Sequence, residues 1–330
     1  MTPHALIAPW WLSRPALTRF VADLMAAELA ALRHDPFMRA EGWNDTLSLE
    51  RDLALDSLEF THLAGALTLA LPMPDGGSQD YLAARRTLGA WVDVAQAALK
   101  RHDGTLTFSS PCATGRSTLS GHRLDRLEQE AQAIAALLCG RRRLLAAVSS
   151  HHVYGFVCTQ LLPRHIGIDA GQVVVIRARR PSSLAGWAQS GDLVIGDPRF
   201  WEAALAPRRD FRPDIVGVSA TAPCPDDVAD AAARCGIATL FQLYGSPETA
   251  GLGWRSSHRD DYRLYPYLER HPLHEDCVRR RLPDGGTELL QLRRHLAWRG
   301  ERTFTAGHDP DIGMTGVTIR SSCTPSPPHC

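Results

Sequence analysis

Between residues 105 and 245 the sequence alternates short apolar runs with helical segments, and this alternation constrains the fold more than any other feature. The apolar runs are rich in leucine or β-branched residues and cover 105–110, 143–150, 172–178, 192–198, 214–223 and 237–245. Helical patterns separate several of these runs, notably at 124–140 and 224–236. Buried strands that alternate with helices form a largely parallel sheet with helices packed on it. The sequence therefore predicts an α/β fold for this region.

The segment before residue 102 has a different, wholly helical character. Residues 15–33 carry apolar side chains at helical spacing behind a proline. Asp56 is a suitable N-cap for a helix that runs to about Leu71, and a further helical stretch ends near residue 99. We therefore predict three regions: a four-helix bundle over 1–102, the α/β core over 103–320, and a disordered tail over 321–330.

Charge and cysteine content exclude several classes of function. The chain has 36 basic and 36 acidic residues, so no net field attracts nucleic acid or an anionic membrane. Its longest apolar run, from Leu63 to Leu71, is too short to span a bilayer. Eight cysteines occur without a CxxC pair, which argues against a zinc site and is typical of reduced thiols. With no signal peptide evident at the N-terminus, we expect a cytoplasmic protein without a nucleic-acid partner or membrane span.

One motif in the helical region points to a covalently attached cofactor. The segment 49–59, LERDLALDSLE, places Ser57 directly after the predicted N-cap Asp56. A serine there is common in helices, but the surrounding four-helix pattern resembles an acyl carrier protein. That resemblance implies that Ser57 carries a 4'-phosphopantetheine arm, added by a phosphopantetheinyl transferase. Free backbone N–H groups at a helix N-terminus would stabilise the charge of the phosphodiester.

Four motifs follow one another in the α/β region. They are SSPCATGR (109–116), SSHHVYGF (149–156), SATAPCP (219–225) and YGSPETAG (244–251). This order and spacing resemble the adenylation core of the acyl-CoA synthetase, nonribosomal-peptide adenylation domain and luciferase superfamily. The similarity is greatest to the aryl- and acyl-acid AMP-ligases of polyene pigment clusters. It implies ATP, AMP and Mg²⁺ as cofactors and a carboxylic acid as substrate.

The resemblance assigns a role to individual residues. Glu248 would bind Mg²⁺ and Thr249 would contact a phosphate, while His152 would lie beside the reacting carboxylate and Gly155 would line the acyl pocket. The other expected nucleotide contacts come from the phosphate loop, the two walls of the adenine site and the hinge motif: Ser109, Ser110, Thr114, Gly115, Arg116, Ser219, Thr221, Ala222, Pro223, Tyr244, Gly245 and Asp309. A carboxylate is the ligand that a hard cation bridging phosphates requires.

The sequence departs from the family pattern at several of these places. In the phosphate loop Cys112 replaces a glycine, Pro111 removes a backbone donor, and Thr118 stands where a lysine is expected. Arg294 falls where the family has a ribose-binding aspartate. No lysine follows Lys100, so we expect the mobile C-terminal subdomain with its catalytic lysine to be absent. The changes in the loop and the missing lysines remove groups that stabilise phosphate charge, and the missing aspartate removes a contact with the ribose.

Two functions remain open from the sequence. In the first, the core activates an aryl or fatty acid as its acyl-adenylate and loads it onto the arm at Ser57, for secondary-metabolite or lipid biosynthesis. A downstream ketosynthase or acyltransferase would then take the acyl group. In the second, a degenerate ligase core and a carrier domain act as a non-catalytic scaffold for acyl binding or docking. The missing lysines favour the scaffold, whereas the intact YGSPETAG motif favours the enzyme.

Overall fold

The computed structural model describes residues 7–73, 78–101, 104–110, 118–293 and 295–306. Its helices, in chain order, are α1 (Arg14–Leu32), α2 (Ser57–Ala70), α3 (Ser78–Ala83), α4 (Leu88–Arg101), α5 (Leu124–Ala135), α6 (Val153–Phe156), α7 (Leu162–His165), α8 (Leu184–Trp187), α9 (Pro198–Leu205) and α10 (Asp226–Arg234). Single 3₁₀ turns occupy Trp10–Leu12, Ala170–Gln172 and Pro181–Ser183, and the π-helical segment Val157–Leu161 joins α6 to α7.

The strands form three sheets. In chain order they are β1 (Thr105–Ser110), β2 (Thr118–Arg123), β3 (Arg143–Ala146), β4 (Val173–Val175), β5 (Asp192–Gly196), β6 (Val216–Ser219), β7 (Thr239–Ser246), β8 (Ala250–Arg255), β9 (Tyr262–Leu264), β10 (Leu268–Arg270), β11 (Cys277–Arg281), β12 (Thr287–Gln291), β13 (Leu296–Trp298) and β14 (Thr303–Ala306). Within the described ranges β1 pairs with β2 alone, as a hairpin, and β10, β11 and β12 form a three-stranded sheet.

The main sheet is mixed rather than uniformly parallel. Its nine strands run in the order β13-β14-β9-β8-β7-β6-β5-β3-β4. The pairings from β4 through β3, β5 and β6 to β7 are parallel, as the sequence predicts, and all those beyond β7 are antiparallel. The sequence predicted β1 as one of the strands of this sheet, but β1 lies instead in the separate hairpin with β2. The α/β class is confirmed, and the antiparallel half of the sheet is a feature that the sequence patterns did not predict.

The start of α2 follows directly from local sequence. The Asp56 carboxylate accepts a hydrogen bond from the backbone N–H of Glu59 at 2.8 Å, and the Glu59 carboxylate accepts one from the N–H of Asp56 at 3.1 Å. This reciprocal capping box satisfies two N–H groups that have no partner within the helix. Arg33, at the end of α1, donates two hydrogen bonds to the same Glu59 carboxylate. The predicted N-cap is therefore confirmed.

The N-terminal helices and the α/β region share one hydrophobic core. Trp10 and Phe20 pack edge-on against Phe156, with ring centroids 4.9 and 5.6 Å apart, respectively. Phe108 of β1 reaches the same Phe156 ring at 5.4 Å, and all four rings are fully buried. Because this cluster is continuous with the side chains between α1, α2 and α4, a separate carrier-like bundle is not confirmed.

The parallel half of the sheet places the candidate site. Strands β3, β5, β6 and β7 point in the same direction, so their carboxyl ends meet at one edge of the sheet. Ligands of open α/β sheets bind at this edge. Three of the four motifs follow the ends of β3, β6 and β7. Among the described residues, no helix combines the length and apolar character needed to cross a membrane.

Candidate functional site

A cavity of about 400 Å³ lies beyond the carboxyl ends of β3, β5 and β6. We call it the histidine cavity. Residues of the SSHHVYGF and SATAPCP motifs line it together with side chains from α1 and the segment after β4: Asp23, Ser149, His151, His152, Tyr154, Gly155, Arg177, Asp197, Phe200 and Thr221. The structure thus brings His152, Gly155 and Thr221, which sequence reasoning selected, around a single space. Its volume suits a small organic acid.

The histidine loop takes its shape from a close backbone approach. A Cβ atom at Gly155 would lie 1.8 Å from the carbonyl oxygen of Ser149, so only glycine fits where α6 returns to the loop. The Ser149 hydroxyl lies 2.6 Å from Nδ1 of His151, and the rings of His151 and His152 are 3.8 Å apart. Burial and the neighbouring charge of His152 lower the pKa of His151 well below its usual value. Burial likewise lowers the pKa of His152, and neutral imidazoles can accept or donate a hydrogen bond beside a carboxylate.

A buried carboxylate from α1 anchors this loop. Asp23 is 2% exposed, and it accepts hydrogen bonds from both the backbone N–H and the hydroxyl of Ser150, each at 2.7 Å. Its other oxygen accepts from Nη2 of Arg177 at 2.5 Å. Sequence reasoning missed Asp23, because nothing in the local pattern of an apolar helix shows that one acid faces another region of the chain. The N-terminal helices therefore belong to the site's architecture.

The β1–β2 hairpin connects the histidine loop to the YGSPETAG motif. The backbone of Ser109, near the end of β1, interacts with the His152 ring and raises its pKa against the larger lowering effect of burial. On the adjacent strand, Nε2 of His122 lies 2.6 Å from the carbonyl oxygen of Pro247. Burial lowers the pKa of His122 as well. One hairpin therefore contacts both motifs.

The segment between β7 and β8 is a short turn, Pro247–Thr249, which we call the motif turn. Thr249 is buried, and its hydroxyl lies 3.0 Å from the Ser246 hydroxyl. Glu248 is partly exposed and forms an ion pair with Nη1 of Arg293 at 2.9 Å. Glu248 and Thr249 are not among the residues that line the histidine cavity.

The donor set of the motif turn fits a magnesium ion that arrives with a nucleotide. Among the described residues, no group of three or more His, Cys, Asp or Glu could hold a metal ion by itself. Mg²⁺ is usually bound by one or two carboxylates together with substrate phosphates and water. Glu248, a partly exposed carboxylate, could supply one such ligand.

The predicted walls of the adenine site lie at the ends of β6 and β7. Ser219 is fully buried as the last residue of β6, whereas Thr221, Ala222 and Pro223 are exposed. Tyr244 is partly buried, and its ring packs against Tyr262 and Phe304 at 5.2 and 5.3 Å. Gly245 is exposed beside it. An aromatic ring held by two others offers a rigid surface on which a base can stack.

Some of the remaining predicted residues lie within the described part of the chain and others lie outside it. Ser109 and Ser110 are partly buried at the end of β1, and Ser109 also lines a second cavity of about 460 Å³ under α1 and α2. Ser57 is exposed at the first position of α2. Outside the described residues lie the phosphate-loop residues Thr114, Gly115 and Arg116, the hinge residue Asp309, and Arg294.

Comparison with known proteins agrees with this arrangement. The chain is 32% identical to a 4-coumarate–CoA ligase of Cereibacter sphaeroides, over 92% of this chain and 77% of that protein. It is 29% identical to a 4-coumarate–CoA ligase of Halorhodospira halophila, over 93% of this chain and 78% of the relative. No protein-family model matches.

A solved structure supports the fold at low sequence identity. The anthranilate CoA ligase AuaEII in complex with anthranoyl-AMP superposes with a TM-score of 0.50 and 14% identity. The match covers 67% of this chain and 51% of that ligase, so the chain spans about half of its length. The relative that is 32% identical over most of both chains identifies the family. The chain belongs to the adenylate-forming acyl-CoA and AMP-ligase family.

Proposed function

We propose that this protein uses ATP and Mg²⁺ to convert an aryl carboxylic acid into its acyl-adenylate and passes the acyl group to a thiol. The observation that carries the proposal is the β1–β2 hairpin, which contacts His152 through Ser109 and the motif turn through His122. An acyl-adenylate joins an acid to a nucleotide phosphate, so the two halves of its site must be adjacent. The hairpin, which interacts with both motifs, supports that adjacency.

The proposal gives each part of the site a task. The acid would enter the histidine cavity, where His152 would orient its carboxylate. The nucleotide would lie between Tyr244 and the 219–223 segment, with Mg²⁺ on Glu248 and a phosphate near Thr249. Ser109, Ser110, Thr114, Gly115 and Arg116 would surround the phosphates, and Asp309 would approach the nucleotide from the hinge motif. When bound, the magnesium ion would neutralise phosphate charge.

Two thiols are candidate acceptors. The relatives are named as CoA ligases and align with 92% and 93% of this chain, so the match extends over most of the helical region. This favours coenzyme A, since the helices are then part of the shared ligase architecture. The exposed Ser57 at a capped helix N-terminus supports the alternative, a phosphopantetheine arm that serves secondary-metabolite or lipid biosynthesis.

Pyrophosphate exchange tests the activation step. The protein is incubated with ATP, Mg²⁺, labelled pyrophosphate and one acid at a time, including 4-coumarate, anthranilate and a fatty acid. We expect exchange with an aryl acid, and we expect Glu248→Gln to slow it about 10²- to 10³-fold, the usual effect of removing an electrostatic stabiliser. Glu269→Gln, which changes a partly exposed glutamate on β10, is the control. No exchange with any acid, together with no nucleotide binding by calorimetry, would leave a non-catalytic acyl-binding or docking scaffold.

Mass spectrometry separates the two acceptors. If Ser57 is the attachment site, incubation with a broad-specificity phosphopantetheinyl transferase and coenzyme A would increase the protein's mass by one phosphopantetheine arm. Ser57→Ala would abolish that increase in mass. Release of acyl-CoA by the unmodified protein would identify coenzyme A as the acceptor. An unchanged mass together with acyl-CoA formation would refute the arm and its partners, the transferase and a downstream ketosynthase or acyltransferase.

A further inference from the structure

We infer that Glu130 and Arg280 are positioning residues that hold the motif turn in the shape that presents Glu248. Neither residue belongs to a motif that the sequence analysis selected. Glu130 lies on helix α5, whereas Arg280 lies on β11 of the three-stranded sheet. The inference rests on the proposed role of Glu248 and concerns how the chain keeps that carboxylate in place.

The two side chains bind the backbone on either side of Ala250. The carboxylate of Glu130 accepts a hydrogen bond from the backbone N–H of Gly251 at 2.9 Å. Nη2 of Arg280 donates to the carbonyl oxygen of Thr249 at 3.4 Å. Both residues are almost fully buried, at 4% and 3% exposure. Charged side chains are rarely buried to this extent unless they have a specific partner.

The backbone between these two contacts has an unfavourable conformation. Ala250 has a φ angle of +57°, in the left-handed region that non-glycine residues seldom adopt. The pairing of β7 with β8 also shifts register between Tyr244 and Gly245, just before the turn. Such strain persists only where the surroundings overdetermine the conformation. Glu130 and Arg280 contribute to this constraint through their contacts with the β7–β8 turn.

Gly251 shows how closely the carboxylate approaches. A Cβ atom at this position would lie 2.3 Å from Oε1 of Glu130, so the residue must be glycine for the carboxylate to reach the backbone. Burial raises the pKa of Glu130, and the contact with Gly251 and the charge of Arg280 oppose that rise. Arg280 also lies over the ring of Tyr267 at 5.3 Å. Two buried side chains thus hold the turn, while Glu248 within it remains partly exposed.

The experiment compares three variants. Glu130→Ala removes the contact, and Glu130→Gln keeps an oxygen that can accept from Gly251. Ile134→Val, one turn further along α5 and equally buried, is the packing control. Hydrogen exchange of the backbone amides in 246–251 is measured for the full chain by mass spectrometry. The Michaelis constants for MgATP and for the acid are measured separately, at equal intervals below each variant's unfolding temperature.

We expect Glu130→Ala to speed amide exchange in 246–251 roughly tenfold and to raise the KM for MgATP by about the same factor, because the strained turn relaxes. The KM for the acid should change less than about twofold, and both Glu130→Gln and Ile134→Val should resemble the wild type. Amide exchange equal to that of the wild type would overturn the inference, as would equal changes in both Michaelis constants. If the wild type itself shows no pyrophosphate exchange, the proposed function fails, and the amide exchange still decides whether Glu130 holds the turn.

Discussion

The buried contact between Asp23 and the histidine loop gives a quantitative test of how the helices join the fold. Asp23→Asn keeps the shape of the side chain but removes its charge and one acceptor. It removes the 2.5 Å ion pair with Arg177, whose guanidinium keeps Glu41 at 3.3 Å, and it weakens two hydrogen bonds from Ser150. Removing one member of a buried ion pair costs about 3–5 kcal/mol. Since asparagine can still accept one of the Ser150 bonds, we expect a loss of about 3 kcal/mol.

Urea denaturation followed by tryptophan fluorescence measures this loss, with the free energy of unfolding obtained by linear extrapolation. Asp93→Asn is the matched control, because Asp93 also pairs with an arginine, Arg14, but is 69% exposed. Exposed pairs contribute less than about 1 kcal/mol. Unfolding free energies that agree within about 1 kcal/mol for the two variants would refute the reasoning. The helices would then be energetically separate from the α/β region, as an independent carrier domain requires.

Three further predictions concern the site. Arg293→Gln frees the Glu248 carboxylate from its 2.9 Å ion pair, so the Mg²⁺ concentration for half-maximal nucleotide binding should fall by up to about fivefold. Calorimetry measures this concentration, and Arg299→Gln is the control. Equal values for the two variants and the wild type would contradict competition between Arg293 and the metal. Burial lowers the pKa of His151 in the folded protein. As pH falls below the ordinary value of 6.5, His151 therefore becomes protonated in the unfolded chain before it does in the folded protein. The free energy of unfolding should be retained above that pH and should decrease below it. His151→Asn should reduce the dependence of the unfolding temperature on pH between about 7.5 and 5.5, and a slope equal to that of the wild type would contradict the assignment. Thr118→Lys adds an ammonium at the first residue of β2, beside Ser110, and should raise pyrophosphate exchange about a hundredfold if a missing lysine limits the rate. Thr105→Lys, at the far end of the same hairpin, is its control, and equal rates for the two variants would argue against the phosphate-loop alignment.

Local signals account for the parts of the fold that the sequence predicted. Asp56 and Glu59 fix the start of α2, because a capping box needs only residues three positions apart. The apolar runs around 143–150 and 192–198 become β3 and β5, since strands buried on both faces are continuously apolar. The four motifs predicted the family, which the relatives confirm. The roles of Glu248, Thr249 and His152 remain predictions for the experiments above.

Tertiary structure decided the features that depend on residues far apart in the chain. The apolar spacing of α1 predicted a helix but could not show that Asp23 contacts Ser150, 127 positions later. Glu130 and Gly251 are 121 positions apart, and neither has a local pattern that signals the hydrogen bond between them. The strands beyond β7 are short and only half apolar, so they became recognisable only through their antiparallel partners. A sequence specifies capping, periodicity and turns within a few residues, whereas the pairing of buried charges depends on which surfaces the folded chain brings together.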